Sequence, residues 1–581
     1  MQKLESNTSL GFVTPNLALM LEENAIKFSD KYVFFEKDSQ GVYYGIIWKT
    51  FYQNILNIAF NLKEQGFKEG DKVVLFCRNS LNMLQAELAI MATGGIAIPI
   101  FANFKKDTAE LLINHSDATY LIASGNQQIE QLGTNLKLKH IWTFDEVKNT
   151  SFKNLSSFSS LLKERSDKSF ALNTAASPND ICLNMYTSGT MGVPKCVQLT
   201  HGNILSQQAA LKHIWKLNEN DRFLSYLPWH HSFGGIFELF SALCNGAAFY
   251  LESGYGKDPK VIFENWKLVK PTVFFSVPKV YQSLYELTQS DKSAEDILFN
   301  SGLKFIFTAA AALPEKLSNE FEKRGIPVVE GWGLTETSPC CTLTDPNLKR
   351  ENGVVGKPIP GVNIRIAEDE EIQVKGPNVM VSYYKNDEAN KDIFTEDGWY
   401  RTGDVGEITP NGLKLISRKD RIFKLSNGEK VIPSDLEKAI ELNCHYVQYA
   451  IVAGSGEEHP VALIFPNKKL IDKPDYQLSP DEGCFCPRSL NELGRCLTGC
   501  LVKANDSIGQ KFSKVKSAAI IWDELSLDNN TLTPSMKVAP KNVVEKYRSH
   551  LINLYGSEVP VNEEVYIIEL DSNKNSNRCI K

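Results

Sequence analysis

Several large classes of protein are excluded by what this chain has little of. No apolar run reaches the roughly 20 residues of a membrane span. The longest, residues 88–102, is interrupted by Gly94, Gly95 and Pro99 and reads as a buried helix running into a strand. Cysteine is too sparse for a disulfide scaffold, with 12 in 581 residues. Polar Gln2, Lys3, Glu5 and Ser6 follow Met1, with no apolar stretch of the kind a secretory signal needs. The expectation is therefore reduced thiols and a cytosolic compartment, with peripheral membrane contact left open. Positive charge is not in excess: 63 basic against 69 acidic residues leave a net charge of −6, which argues against a nucleic-acid partner. Tandem repeats and the G-x-x-x-x-G-K-[ST] pattern of the NTPase P-loop are both missing.

What is present is long and ordinarily globular. A chain of 581 residues exceeds what one core organises, so two or more domains are expected. From residue 17 to about 172, helix-period stretches (54–65, 84–92) alternate with short apolar runs (72–76, 96–101, 118–123, 138–143). That βαβ rhythm predicts a largely parallel sheet with helices on both faces. Residues 149–169, rich in Ser, Lys and Asn, read as a surface excursion. A second layer is predicted from strands at 197–199, 223–227, 273–277 and 304–308, a helix starting at 235–241 and another over 313–324. From 363 to 415 the chain turns to short strands with Asp397-Gly398 and Asn411-Gly412 turns, a small β-barrel-like unit. A charge cluster at 417–424 precedes a helix and strand pair over 436–466, and residues 562–581 read as a frayed end. The predicted fold is α/β: an N-terminal domain over 1–419 with two α/β layers and the β unit, then a mobile α+β domain over 420–581.

Five runs carry candidate chemistry. Residues 186–195, Y-T-S-G-T-M-G-V-P-K, collect three hydroxyls, two glycines and Lys195 after an alternating apolar stretch. Glycines let successive N–H groups turn onto an anion, hydroxyls add donors, and the lysine adds charge: a phosphate cradle by composition. Taken alone, such a run is more often an ordinary loop. Glu330-Gly331-Trp332-Gly333-Leu334-Thr335-Glu336 follows a strand-like stretch at 326–329. Its aromatic can lie on a purine, and its last carboxylate suits Mg²⁺, which prefers oxygen ligands; a Gly-rich turn with a solvated Glu is equally consistent. Thr402-Gly403-Asp404 reads as a strand end, where a carboxylate on a tight turn can take both ribose hydroxyls, although a plain β-turn Asp is the commoner case. Arg418-Lys419-Asp420-Arg421 forms a charged junction, and Leu532-Thr533-Pro534-Ser535-Met536-Lys537 sets a lysine past a proline turn.

In order and spacing these runs resemble the motif series of the adenylate-forming superfamily, most closely its long-chain fatty acyl-CoA synthetases. Residues 270–281 and 423–431 (F-K-L-S-N-G-E-K-V) resemble that branch too. The resemblance implies an ATP-dependent ligase that converts a fatty acid to acyl-AMP with loss of pyrophosphate and passes the acyl group to CoA. It implies that Thr187, Ser188, Gly189, Thr190 and Lys195 wrap the ATP phosphates. Trp332, with Gly333, would stack on adenine against a wall of Ala309, Ala310 and Ala311. Thr335 would touch the α-phosphate, Glu336 and Thr190 would hold Mg²⁺, and Asp404 and Arg418 the ribose. Lys537 would bridge carboxylate and α-phosphate, His231 would sit beside the acyl carboxylate, and Gly428 would line the pantetheine channel. Asp420 would be the pivot of the C-terminal domain. Trp229, Phe237 and Phe274 are equally readable as acyl-tunnel wall or plain core.

Some positions depart from the pattern. Met191 replaces a hydroxyl residue, Cys196 a usual glycine, Lys279 an arginine, and Arg421 a common acid. They suggest slower turnover or a shifted substrate, and Met191 and Cys196 leave open a non-catalytic nucleotide-binding regulator; a carrier-protein acceptor stays open because the F-K-L-S-N-G-E-K-V run favours CoA by resemblance alone. Cys484, Cys486, Cys496 and Cys500 give C-x-C-x₉-C-x₃-C, four thiols readable as a zinc site or as reduced bystanders.

Overall fold

The computed structural model describes all residues but 1, 134, 149, 188–194, 253, 300–301, 310–312, 349, 352, 445, 472–486, 488, 527–528, 534–537, 558, 562–564, 571–577 and 581. The chain divides into two compact units, Met1–Thr402 with Gly406–Leu415, and Gly403–Val405 with Ile416–Lys581. Among the described residues no helix is long and apolar enough to cross a membrane.

The first unit contains two large sheets. In one, Lys72–Phe76 lies between Ile96–Pro99 and Tyr120–Ala123, parallel to both. Its side chains divide by parity: Val73 and Leu75 enter the main core, whereas Val74 and Phe76 enter a second cluster with Leu112 and Ile113 of the helix Lys106–Ser116. A strand buried on both faces has to be apolar throughout, which is why K-V-V-L-F does not alternate. His140–Thr143 and Leu155–Ser157 extend the sheet in parallel. The supposed surface excursion is thus partly structural: Leu155–Ser157 is an edge strand, and Phe158 and Leu161 are buried. Scattered Phe and Leu in a polar stretch have no period to announce them.

The second sheet has a parallel centre of Arg222–Ser225, Val273–Ser276, Phe305–Thr308 and Val328–Trp332. Register places Phe275 opposite Phe307, with ring centroids 5.0 Å apart, and the Phe237 ring is 4.8 Å from that of Phe307. Each buried aromatic of this kind contributes about 1.5–3 kcal/mol by leaving water. Trp229, Phe237 and Phe274 all belong to this aromatic core. The expected helix start at 235–241 is a π-helix, Phe233–Glu238, followed by the α-helix Leu239–Cys244.

An antiparallel sheet begins with Lys3–Glu5, Asn363–Ile366 and Glu371–Lys375 and continues through Tyr400–Thr409 and Gly412–Arg418. In the second unit, Val447–Ala453, Val461–Pro466, Ser517–Ile520, Val565–Glu569 and Arg578–Ile580 form one mixed sheet. Alternation again separates two cores. Ala462, Ile464, Ala518 and Ile520 pack with the helices Pro433–Asn443 and Leu490–Asp506, while Val461, Leu463, Ala519 and Ile521 pack with Val543 and Leu551 of the last helices. The frayed-end expectation for 562–581 is corrected here: Val565–Glu569 is an inner strand with Ile567 and Ile568 fully buried. The polar residues around it hid a four-residue apolar run, residues 565–568.

Candidate active site

The phosphate-cradle run stands on an antiparallel hairpin. Ile181–Thr187 pairs with Lys195–Thr200, setting Lys195 opposite Thr187 and Cys196 opposite Tyr186. The Thr187 hydroxyl donates to the Lys195 carbonyl at 3.4 Å. Ser188, Gly189 and Thr190 lie outside the described residues, as do Met191, Ala310, Ala311, Lys537, Cys484 and Cys486. Cys196 is settled: it sits in a strand, where no positive φ is needed. Burial pushes its thiol up to about 12, so it is an inert packing group.

A short strand, Ser382–Tyr383, adds to this hairpin with Tyr383 opposite Val197. Tyr383 is buried, and the Lys195 ammonium stands over its ring, 4.7 Å from the centroid. Its hydroxyl donates to Glu336 Oε1 at 2.7 Å. Glu336 is held in turn by its carbonyl, which accepts from Met380 N at 2.8 Å. Asn378 braces the same segment by donating to the Thr337 and Cys340 carbonyls at 2.9 and 3.0 Å. Among the described residues, Lys195 has no carboxylate partner and Glu336 Oε2 accepts no hydrogen bond. An ammonium and a carboxylate oxygen are therefore left unspent around one aromatic ring. That donor set fits a phosphate and a hard divalent cation.

Thr335 joins them from the same turn, its hydroxyl 3.0 Å from that of Ser232. Ser232 follows His231, and the backbone here is shaped by glycine. A Cβ on Gly235 would lie 2.0 Å from the Trp229 carbonyl, and one on Gly234 would lie 2.7 Å from that of Pro228. Only hydrogen at both positions lets residues 227–229 lie against the π-helix, which brings Ser232 to the Thr335 turn. The His230 side chain is half-buried, but its ring lies 4.9 Å from that of Phe101 with Nε2 shielded from solvent, and burial pushes its pKa down to about 3. His231 is half-buried.

The Trp332 run needs a correction. It does not follow a strand; Val328–Trp332 is the strand, with Trp332 opposite Thr342 and largely buried. The strand signal was read short because Glu330 and Gly331 interrupt the apolar run. Gly333 is required by space, since a Cβ there would lie 1.9 Å from the Pro339 carbonyl. Ala309 directly follows the neighbouring strand Phe305–Thr308. The next described residue, Leu313, donates its N–H to Glu330 Oε1 at 2.9 Å. Arg350 Nε reaches Glu330 Oε2 at 3.0 Å, so one buried carboxylate ties the Trp332 strand to the end of the alanine segment.

The remaining candidates lie in the second unit. Thr402-Gly403-Asp404 is not a strand end but the middle of Tyr400–Thr409, kinked by Gly403 at φ +71°. The neighbouring strand covers it: Lys419 N donates to the Gly403 carbonyl at 2.8 Å, and Arg418 Nη1 lies 2.8 Å from Asp404 Oδ1. Asp404 and Arg418 are thus brought together. Asp420 pairs with Lys541 at 3.1 Å. The off-pattern Arg421 pairs with Glu437, which also accepts from Val452 N at 2.9 Å. Gly428 turns the chain between Phe423–Lys424 and Lys430–Val431 at φ +87°; a Cβ there would touch nothing, so conformation alone selects glycine. Cys496 and Cys500 are buried, and no metal-holding group of three or more His, Cys, Asp or Glu exists among the described residues.

Sequence reasoning missed Tyr383 and Ser232. Tyr383 lies in no periodic or Gly-rich run, and Ser232, although beside Gly234 and Gly235, carries no signal of its own. Tyr383 reaches Glu336 across 47 residues of chain, and only the fold announces that contact.

The architecture is that of an enzyme that activates an acid on a nucleotide, with a large α/β unit and a smaller α+β one. The chain belongs to the AMP-binding enzyme family, which matches residues 21–384, with the family's C-terminal domain matching residues 420–558. It is 27% identical to long chain acyl-CoA synthetase 3 of Arabidopsis thaliana, over 88% of this chain and 87% of that protein. It is 26% identical to the long-chain-fatty-acid–[acyl-carrier-protein] ligase AEE15 of the same plant, over 88% and 82%. Its fold is similar to that of the O-succinylbenzoate CoA synthetase of Bacillus subtilis in complex with AMP, with a TM-score of 0.71 and 21% identity over 91% of this chain and 98% of that one. Within the family ATP with Mg²⁺ is the nucleotide substrate and CoA the acyl acceptor.

Proposed function

We propose that this protein is an ATP-dependent fatty acid–CoA ligase acting on long-chain acids. The observation that carries the reading is the unspent pair, the Lys195 ammonium and Glu336 Oε2, disposed around Tyr383 beside the Thr335 hydroxyl. A carboxylate is a poor electrophile, and its attack on the α-phosphate of ATP brings two anions together. Lys195, with Thr187, Ser188, Gly189 and Thr190, offsets charge on the phosphates, and Thr335 donates to the α-phosphate. Glu336 and Thr190 would hold Mg²⁺, which would supply positive charge against that of the phosphates. His231 lies beside the acid's carboxylate. Trp332, Gly333 and the segment 309–311 hold adenine. The Asp404 carboxylate accepts from ribose with Arg418 beside it, and Lys537 bridges acid and α-phosphate. The CoA thiol then displaces AMP past Gly428, once Lys537 has been withdrawn by a turn of the C-terminal domain, residues 420–581, about Asp420.

The test is pyrophosphate release with ATP, Mg²⁺ and acids of graded length, with and without CoA. Long-chain acids should support release, and acyl-CoA should form only when CoA is present. Silence across all lengths overturns the reading. Lys537→Ala should slow acyl-AMP formation by about 10²-fold or more, the scale on which one transition-state donor acts; full-speed adenylation removes that lysine from the mechanism. A carrier-protein pantetheine is the competing acceptor, since the relative AEE15 is named for it. Product formation on a carrier protein but not on free CoA would select it.

A further inference from the structure

We infer that Tyr383 is a positioning residue that sets the spacing between the phosphate-binding cation and the metal-binding carboxylate. The inference rests on the ATP and Mg²⁺ roles proposed for Lys195 and Glu336. Two separate parts of one side chain do two jobs. The ring face takes the Lys195 ammonium at 4.7 Å, which attracts a cation without neutralising it as a carboxylate would. The hydroxyl donates to Glu336 Oε1 at 2.7 Å, which stops the carboxylate turning and leaves Oε2 for a cation. A lysine paired to an acid, or a glutamate with both oxygens engaged, would have to break a bond before binding phosphate or metal. Here neither does.

The ring is placed independently of what it holds. Tyr383 N donates to Asn390 Oδ1 at 2.8 Å, and Asn390 Nδ2 returns a bond to the Tyr383 carbonyl at 2.8 Å. The strand pairing with Val197 fixes the third side, so Tyr383 arrives on a backbone tied to the same hairpin that carries Lys195. Tyr400 lies behind, its hydroxyl 3.5 Å from that of Tyr383. Removing the hydroxyl alone therefore leaves the ring in place, and the two jobs can be separated by substitution.

The experiment is calorimetric titration of ATP into the full chain over a series of Mg²⁺ concentrations, with no acid present, for the wild type, Tyr383→Phe and Tyr383→Leu. The Phe variant keeps the ring and loses the grip on Glu336. Its ATP affinity at saturating Mg²⁺ should stay within about twofold of wild type, while the Mg²⁺ concentration for half-maximal binding rises about tenfold. The Leu variant loses both, so its ATP affinity should also fall about tenfold at saturating Mg²⁺. A purely structural role predicts instead that Mg²⁺ dependence is unchanged and that affinity loss tracks melting temperature. An unchanged Mg²⁺ requirement in Tyr383→Phe overturns the inference, and that variant decides the matter if Tyr383→Leu does not fold. A wild type that binds Mg²⁺-ATP but releases no pyrophosphate with any acid sinks the ligase reading and leaves the Tyr383 role standing. A wild type that binds no ATP sinks both.

Discussion

Glu87 shows what a single buried group does to this protein. It projects from the helix Leu81–Ala92 into the main core, where it faces Cys77 and Cys182, and burial pushes its carboxyl up to about 8 from an ordinary value of 4.5. Its Oε2 has no hydrogen-bond partner among the described residues. The acid is therefore neutral in the fold at pH 6 and ionised in the unfolded chain. The unfolded state binds fewer protons between about 4.5 and 8, so this group's stabilisation is complete below 4.5 and fades as pH rises to 8. The slope is at most about 1.4 kcal/mol per pH unit. Glu87→Gln should flatten it: melting temperature should fall from pH 6 to pH 8 by several degrees less than in the wild type. An identical fall in both proteins would show that Glu87 does not titrate in that window. At this scale the sequence was least informative. Nothing in L-N-M-L-Q-A-E-L-A-I-M-A distinguishes a buried glutamate from one on a solvated face. The same is true of Tyr383 and Ser232, whose partners are remote in the chain.

At the scale of elements, boundaries and roles were legible where a run was periodic and misread where polar residues broke it. Lys72–Phe76 was read to the residue, because a strand buried on both sides is an unbroken apolar string. Val328–Trp332 was read short, because Glu330 and Gly331 look like the start of a turn. The fold resolves the oddity: Glu330 is buried in mid-strand to hold Leu313 N and Arg350. Removing one member of such a buried pair leaves the other uncompensated, a cost on the order of 3 kcal/mol. Glu330→Gln should lower the urea midpoint of the first unit accordingly with little change in slope. Glu330→Gln combined with Arg350→Leu should recover part of the loss. A midpoint unmoved in the single variant would mean that the pair is solvated. Thr402-Gly403-Asp404 was misread in a different way. Glycine before a carboxylate suggests a turn, yet here it kinks a continuous strand, and the neighbouring strand supplies Arg418.

For the whole molecule, the proposed cycle asks the C-terminal domain to occupy two orientations, and the change belongs to the backbone near Asp420. Proline fixes φ near −65° and restricts the residue before it. Asp420→Pro should therefore spare whichever half-reaction that backbone already suits and slow the other at least tenfold. Rapid-quench measurement of acyl-AMP formation, and separately of thioester formation from preformed acyl-AMP, would check it. Equal effects on both steps would argue that the pivot lies elsewhere.

The amino-acid sequence by itself determined the local chemistry: which runs are buried strands, which glycines turn a chain, and which ordered motifs bring an anion-binding lysine, a hard oxygen ligand and an aromatic plate. These follow from neighbours a few residues apart, whose periodicity and side-chain types act before the chain closes. Only the tertiary structure decided which of those groups meet and which remain unspent. Lys195 and Glu336 face one ring because Ser382–Tyr383 docks on the hairpin, and Ser232 meets Thr335 because two glycines let the chain lie against a π-helix. Contacts between distant segments depend on packing geometry, and no local pattern encodes the partner.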